Sequence, residues 1–294
     1  MDYTQFLNSV CDYINEQSED IKVSIHTAVK NNGVKLSGLT FCKAGYNASP
    51  TVYMENYYTD YLNGSDISEI GNRLLELYRE NSMAANIDMS FFEDWGLVRT
   101  RLFIKLINKE KNADFLHEAP YEDFLDLAIV AYIRISDRKI GNGLIMVRNE
   151  HLRLWGVNAA EVLGIAKANT HDHDDYSLSY IVDVLANMGA GHLVPNTDPV
   201  QFPMYVATNG KNTCGAAVLT MKDKLKEFAD VIGGDYYIIP SSVHELILLL
   251  KGDDSDRDEI DKMIRDVNTR ELSADEVLAD HAYMYSRDDE VLIF

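Results

Sequence analysis

The sequence contains no long apolar run, and this absence is the first feature that bounds its function. Its longest apolar stretch is about half of the roughly 18–20 residues that a membrane-spanning helix needs. The first residues, MDYTQ, also lack a basic segment followed by an apolar stretch, so we expect no signal peptide. Both absences argue against a membrane protein and favour the cytoplasm.

Cysteine is scarce, and the motifs that hold cofactors are missing. Cys11, Cys42 and Cys214 are odd in number, widely spaced and in no CxxC pair, so we expect each to be a small buried apolar residue. The chain has no GxxxxGK[ST] or GxGxxG phosphate loop and no GxSxG nucleophile turn. We therefore predict no cofactor.

Basic residues are few in relation to acidic ones. The chain has 27 Lys and Arg against 47 Asp and Glu, which gives a net charge of −20. Direct binding to nucleic acid or to an anionic membrane is disfavoured, because both need a cationic surface. An acidic surface serves solubility, but it also suits attraction to a basic partner or mimicry of nucleic acid. The sequence leaves these three interpretations open.

The pattern of apolar residues predicts hairpins that alternate with helices. Residues 21–29 alternate in polarity, and the turn at 30–33 predicts a hairpin with a return strand in which Gly38 marks a bulge. Residues 204–208 and 214–219 are predicted to pair, and hairpins are predicted at 235–250 and 282–294. The predicted class is therefore α+β, with antiparallel or mixed sheets covered by helices.

A boundary is predicted in the last half of the chain. Residues 171–201 are polar at first, then helical, and then rich in Gly and Pro. We therefore expect two packed subdomains, an N-terminal one at 1–170 and a C-terminal one at 202–294, with 171–201 as the connecting segment.

The segment PSSVHE at 240–245 is the most informative local feature. Ser242 and His244 are two residues apart, so on one strand they would face the same side, as a nucleophile and its base require. A structural turn is the plainest interpretation. Recognition of a ligand or partner would use Ser241, Ser242, His244 and Glu245. A hydrolase would use Ser242, His244 and Glu245.

A second polar segment, HDHDD at 171–175, has ligand types that divalent metals prefer. His171, His173 and Asp174 are the alternative metal ligands. A metal site usually takes a further ligand from elsewhere in the chain. We therefore predict a solvated loop and no metal.

Several short segments resemble one known family. They are 30–33, 49–53, 57–58, 106–108, 126–128, 155–157, 168–170, 205–209, 215–217, 239–245 and 280–283. Together they are similar to an uncharacterised domain-of-unknown-function family widespread in gut clostridia (Lachnospiraceae and relatives). The resemblance implies a bacterial source and no assigned activity. The segment 239–245 resembles the most recognisable motif of that family, whereas 171–175 lies outside its pattern.

These observations predict a soluble, non-enzymatic protein that binds another macromolecule, most simply another protein. Two alternatives stay open. One is a hydrolase that uses Ser242, His244 and Glu245, and the other is an acidic decoy that mimics nucleic acid on a mobile element. The sequence leaves the partner and the oligomeric state undefined.

Overall fold

The computed structural model describes residues 1–80, 88–137, 141–189, 204–253 and 256–294. The chain divides into two compact units. Unit 1 comprises Met1–Phe92 with Ile135–Gly143, and unit 2 comprises Glu93–Arg134 with Leu144–Phe294. Antiparallel sheets combine with helices in the chain, so the predicted α+β class is confirmed.

The described part of unit 1 combines three α-helices with a three-stranded antiparallel sheet of order β1-β2-β3. The elements are α1 (Tyr3–Gln17), β1 (Ile21–Val29), β2 (Lys35–Lys43), β3 (Thr51–Tyr53), α2 (Glu55–Leu62) and α3 (Ile67–Glu80). Helix α1 begins where the carboxylate of Asp2 accepts a hydrogen bond from the backbone N–H of Gln5 at 2.8 Å. The Gln5 side chain accepts one in return from Asp2, which completes a capping box.

The predicted hairpin at the start of the chain is confirmed, but the predicted bulge is wrong. Asn32 and Gly33 at the turn take positive φ angles of 60° and 67°. The β1–β2 register then runs unbroken through Gly38. A Cβ atom at Gly38 would lie 2.5 Å from Thr51 Cγ2, so glycine is required there by the close approach of β3.

The core of unit 1 lies between its helices and the sheet. Its buried residues are Phe6, Leu7, Val10, Cys11, Ile14, Ile21, Val23, Leu39, Phe41, Met54, Ile70, Leu74, Leu75 and Tyr78. The spacing along α1 and α3 puts one apolar stripe of each helix inward, as amphipathic helices require. Only the first half of β1 contributes to this core, because Ile21 and Val23 are buried and the rest of the strand is not.

Unit 2 holds the remaining elements. Its helices are α4 (Trp95–Val98), α5 (Ala113–Glu118), α6 (Asn149–Trp155), α7 (Ala159–His173), α8 (Ile181–Asn187), α9 (Lys222–Ile232) and α10 (Arg257–Arg270). Its first four strands are β4 (Leu102–Asn108), β5 (Tyr121–Phe124), β6 (Leu127–Asp137) and β7 (Gly141–Met146), although the end of β6 and the start of β7 belong to unit 1. The others are β8 (Tyr176–Tyr180), β9 (Met204–Asn209), β10 (Tyr236–Ile239), β11 (Leu246–Leu250), β12 (Tyr283–Ser286) and β13 (Val291–Ile293).

These strands form two sheets. One has six strands in the order β13-β12-β10-β11-β9-β8, and the other has the order β4-β6-β5 with β7 paired to β6. The predicted hairpins at 235–250 and 282–294 are confirmed as β10–β11 and β12–β13. Because β11 lies between β10 and β9, the turn that joins β10 to β11 lies at one end of the central strands of the larger sheet.

The predicted pairing of 204–208 with 214–219 is wrong. Strand β9 pairs with β8 and β11, and Gly215–Thr220 forms a 3-10 helix. Five consecutive residues of this helix, 215–219, are buried. Their sequence therefore has no alternation of polar and apolar residues that could distinguish a strand from a helix. Cys214 precedes the helix with a φ of 55°, a left-handed conformation that ends any extended pairing.

The predicted subdomains at 1–170 and 202–294 stay a prediction. Within the predicted connecting segment, residues 171–189 belong to the end of α7, to β8 and to α8, whereas 190–201 lie outside the described residues. No helix in the described part of the chain combines the length and apolar character that a membrane crossing requires.

Candidate functional site

The segment 240–245, called the 240–245 turn below, joins β10 to β11. Ser242 and Val243 are buried, whereas Ser241, His244 and Glu245 are partly exposed. All six residues lie between the strands rather than on one of them. The interpretation that a common strand orients Ser242 and His244 to one side is therefore wrong.

Hydrogen bonds within the turn hold its shape. The backbone N–H of Ser242 donates to the carbonyl of Glu245 at 3.2 Å. The hydroxyl of Ser242 accepts from the backbone N–H of His244 at 2.9 Å, which is a local side-chain turn of the kind that serine favours. Ser242 is 6% exposed, so its hydroxyl serves the backbone of the turn rather than the solvent.

Distant segments fix the turn from outside. The backbone N–H of Val243 donates to the carbonyl of Glu276 at 2.9 Å. The hydroxyl of Thr208, at the end of β9, donates to the carbonyl of His244 at 2.9 Å. A Cβ atom at Gly215 would clash with that carbonyl and lie 2.5 Å from Thr208 Oγ1, so glycine is required where these segments meet.

The imidazole of His244 is oriented by two groups. Its Nδ1 accepts a hydrogen bond from the backbone N–H of Cys214 at 3.2 Å, and its Nε2 lies 3.9 Å from Glu276 Oε1. Because Nδ1 acts as an acceptor, the ring proton of neutral His244 sits on Nε2 and faces the carboxylate of Glu276. The ring is thus held in one tautomer and one orientation.

The pKa of His244 is lower than that of an ordinary histidine. Burial is the largest cause, and the positive charge of Lys105 acts in the same direction. The carboxylates of Glu276, Glu245 and Asp275 oppose both effects without overcoming them. His244 is therefore neutral near neutral pH, which keeps its Nδ1 free to accept the Cys214 bond.

The groups that the alternative hydrolase would use are engaged in other bonds in the structure. The Ser242 hydroxyl and the acceptor nitrogen of His244 are both engaged with backbone N–H groups. Glu245 Oε1 accepts from the hydroxyl of Ser241 at 3.1 Å. A serine nucleophile needs its base within hydrogen-bond reach, and here those atoms serve structural bonds.

Cys214 is a neighbour that the sequence did not reveal. It is 2% exposed and packs with Phe103 and Tyr132. Burial raises the pKa of its thiol, so it is a poor nucleophile as it stands. No sequence signal links it to His244, because the two residues are thirty positions apart and meet only through the fold.

Behind Cys214 lies a buried ion pair that the sequence also did not reveal. Arg134 on β6 donates to Asp174 through two nitrogens, at 2.8 and 3.1 Å, and its guanidinium stacks on Phe103 at 3.5 Å. The side chains of Arg134 and Asp174 are 13% and 3% exposed. The amide of Asn209 also donates to Asp174, so the pair connects β6, the end of α7 and the end of β9.

The alternative metal ligands lie at the end of α7 and point to different partners. His171 contacts Asp172 and Asp223 at 3.2 and 3.0 Å, which raise its pKa. His173 lines a shallow groove with Arg99, and Asp174 binds Arg134. Within the described ranges, no three His, Cys, Asp or Glu side chains are placed to hold a metal ion. Of the predicted loop at 171–175, residues 171–173 are instead the last turn of α7, and Asp174 is its C-cap.

A model of the family described as "Family of unknown function (DUF5688)" matches residues 3–287, nearly the whole chain. No curated protein and no solved structure matches the chain. The resemblance to a family of unknown function is thus confirmed, whereas the distribution among gut clostridia stays a prediction. The chain belongs to the DUF5688 family.

Proposed function

We propose that this protein binds another protein through the 240–245 turn and the adjoining residues 275–276, and that it does so without catalysis. The supporting observation is that bonds from three segments fix the turn, while the side chains of His244 and Glu276 stay 34% and 43% exposed. A surface that is held rigid before binding loses little conformational entropy when a partner docks.

The charge of this surface suggests the chemistry of the partner. Glu245, Asp275 and Glu276 each act electrostatically on His244, so the ring lies among negative charges. Neutral His244 adds a ring and an N–H donor but no positive charge near neutral pH. A partner that offers lysine or arginine side chains suits this surface, and complementary charge also speeds the encounter.

The proposal is tested by affinity capture from the host cell with the purified protein as bait. The variant Glu245→Gln/Glu276→Gln removes two charges at the turn, and Glu110→Gln/Glu150→Gln removes two exposed charges elsewhere in unit 2. We expect one partner to be retained by the wild type and by the control variant, and lost from the turn variant. Equal retention by all three proteins would contradict the proposal.

Two further readouts separate the alternatives. Labelling of Ser242 by a fluorophosphonate probe in the folded protein, abolished by Ser242→Ala, would favour the hydrolase. A nucleic-acid-binding enzyme as the captured partner, inhibited by the protein and released by salt, would favour the acidic decoy. Our proposal expects neither result.

A further inference from the structure

The outer edge of β1 in unit 1 is open for pairing over part of its length. Among the described strands, β1 pairs with β2 alone. At Val23 the edge is closed, because the side chain of Asn15 donates to the Val23 carbonyl at 2.9 Å and accepts from its N–H at 2.8 Å. The amide of Asn15 thus occupies the place that a neighbouring strand would take.

Beyond Val23, no described side chain bonds to the backbone on this side of the strand as Asn15 does at Val23. Backbone groups of alternate residues point to the same side of a strand, so those of Ile25 and Thr27 face outward as those of Val23 do. The partner of Thr27 on β2, Ser37, turns its own N–H and C=O away from β1, toward Glu55 and Met54. No described residue pairs with the outward groups of Ile25 and Thr27.

The side chains around this open edge are exposed and partly apolar. Ile25 is 39% exposed and Val29 is 68% exposed, and they lie on the same face of the strand with Thr27 between them. Exposed edges with apolar residues are usually protected by charge, proline or a covering element, because they invite pairing with another chain. The Asn15 side chain protects only the end near α1.

The charge of this sheet is opposite to that of the chain. Residues 21–54 contain four lysines and no acidic residue, although the whole protein has a net charge of −20. Lys43 pairs with Asp20 at 3.2 Å, and Lys30 lies over the ring of Tyr53 at 4.5 Å. Lys22 and Lys35 are exposed and form no ion pair with any described residue.

We infer that residues 25–29 of β1 bind an extended acidic segment of a partner protein, which adds to the sheet as a further strand. Main-chain hydrogen bonds to Ile25 and Thr27 would supply affinity, and alternate side chains would supply specificity. Acidic residues would lie on the face of Lys22, and apolar residues would cover Ile25 and Val29 on the face that also carries Lys35. A second copy is a poorer occupant, because it would set one lysine-bearing sheet against another.

The test uses two fluorescein-labelled peptides, one that alternates glutamate with valine and one that alternates lysine with valine. We expect fluorescence anisotropy to show binding of the glutamate peptide and about tenfold weaker binding of the lysine peptide. Hydrogen exchange should show new protection of the Ile25 and Thr27 amides. Equal binding of both peptides, or no protection at these amides, would overturn the inference.

Two variants make the test specific to this edge. Thr27→Pro removes an outward N–H and should weaken binding about tenfold, whereas Thr27→Val should leave it unchanged. Lys22→Glu leaves the backbone intact and should reverse the preference between the peptides, whereas Lys35→Glu should change it less, because Lys35 lies opposite Val29 on the other face of the sheet. A preference that does not reverse would overturn the inference, as would a homodimer that Thr27→Pro abolishes. These residues are separate from the 240–245 turn, so this inference and the proposed function can fail independently.

Discussion

His244 accepts a hydrogen bond through Nδ1 from the backbone N–H of Cys214, at 3.2 Å. This bond joins the 240–245 turn to a residue held in a left-handed conformation at the start of a buried 3-10 helix. It exists only while the ring is neutral, since a protonated imidazole donates from both nitrogens. The bond therefore makes the shape of the turn depend on pH.

The pH dependence of stability should change when His244 is replaced. The pKa of His244 is lower in the folded protein than the value of about 6.5 in the unfolded chain, chiefly because of burial. As pH falls below about 6.5, the unfolded chain therefore takes up the proton first, and the free energy of unfolding decreases. His244→Asn keeps an acceptor near the Nδ1 position and cannot titrate. Urea unfolding at several pH values should show a smaller loss toward acid in this variant.

The pH profile of His244→Asn has to be compared with that of the wild type, because His171 affects the pH dependence of stability in the opposite direction. Its pKa is raised by Asp172 and Asp223, so its contribution is present in acid and is lost as pH rises through the folded value. His171 is unchanged in His244→Asn, and its contribution cancels in the difference. Identical pH profiles for the two proteins would contradict the orientation of His244.

Breaking the buried ion pair should be costly. Asp174→Ala leaves the guanidinium of Arg134 buried without its partner, and we expect a loss of roughly 3–5 kcal/mol in the free energy of unfolding. Glu122→Ala removes a carboxylate from the exposed pair with Lys167 and should cost no more than about 1 kcal/mol. Urea denaturation measures both.

A double variant shows where this cost comes from. Arg134→Met/Asp174→Leu removes both charges and keeps similar volumes, so it should recover most of the lost stability. If Asp174→Ala and Glu122→Ala lower the free energy of unfolding by the same amount, the Arg134–Asp174 pair does not stabilise the contact between β6, the end of α7 and the end of β9.

Substitution of two glycines by alanine should change the stability of the protein in opposite directions. Gly215→Ala places a methyl group against the His244 carbonyl and Thr208, and overpacking of this kind costs about 1–3 kcal/mol. Gly164 lies within α7 with open space around its Cα, so Gly164→Ala should stabilise the protein by about 0.5–1 kcal/mol. Thermal unfolding distinguishes the two shifts. A neutral Gly215→Ala would show that the turn and the 3-10 helix are less tightly packed than we describe.

Two tyrosines provide a matched test of buried hydroxyl groups. The hydroxyl of Tyr236 donates to the carbonyl of Leu225 at 2.9 Å, whereas that of Tyr176 is buried beside Asn209 and forms no well-aligned hydrogen bond with a described residue. Tyr236→Phe should cost about 1 kcal/mol, the usual net value of such a bond. Tyr176→Phe should be neutral or stabilising, because it removes a buried polar group that gains nothing. A destabilised Tyr176→Phe would indicate that its hydroxyl has a partner in solution.

The sequence predicted those parts of the fold that local patterns determine. The first hairpin carries its own turn residues, and the strands before and after 240–245 are continuous apolar runs, so both were predicted correctly. The Cys214–Leu219 region was predicted as a strand because its composition suits either conformation. Its buried 3-10 helix depends on packing against β4 and β9, which no local pattern encodes.

The candidate site was predictable only in part for the same reason. The 240–245 turn was recognisable because proline and serine between two apolar runs indicate a turn. Its outer contacts were not, since Thr208, Cys214 and Glu276 are each thirty or more positions from the residue that they contact. The Arg134–Asp174 pair spans forty positions and was likewise invisible in the sequence.

The central claim is that the 240–245 turn is a protein-binding surface, and photo-crosslinking in the host cell tests it most directly. A photo-reactive phenylalanine analogue would replace Ser241 in one protein and the exposed Glu150 in a control. We predict one discrete adduct from position 241 that is absent from position 150 and that Glu245→Gln/Glu276→Gln removes. No adduct, or the same adducts from both positions, would contradict the claim.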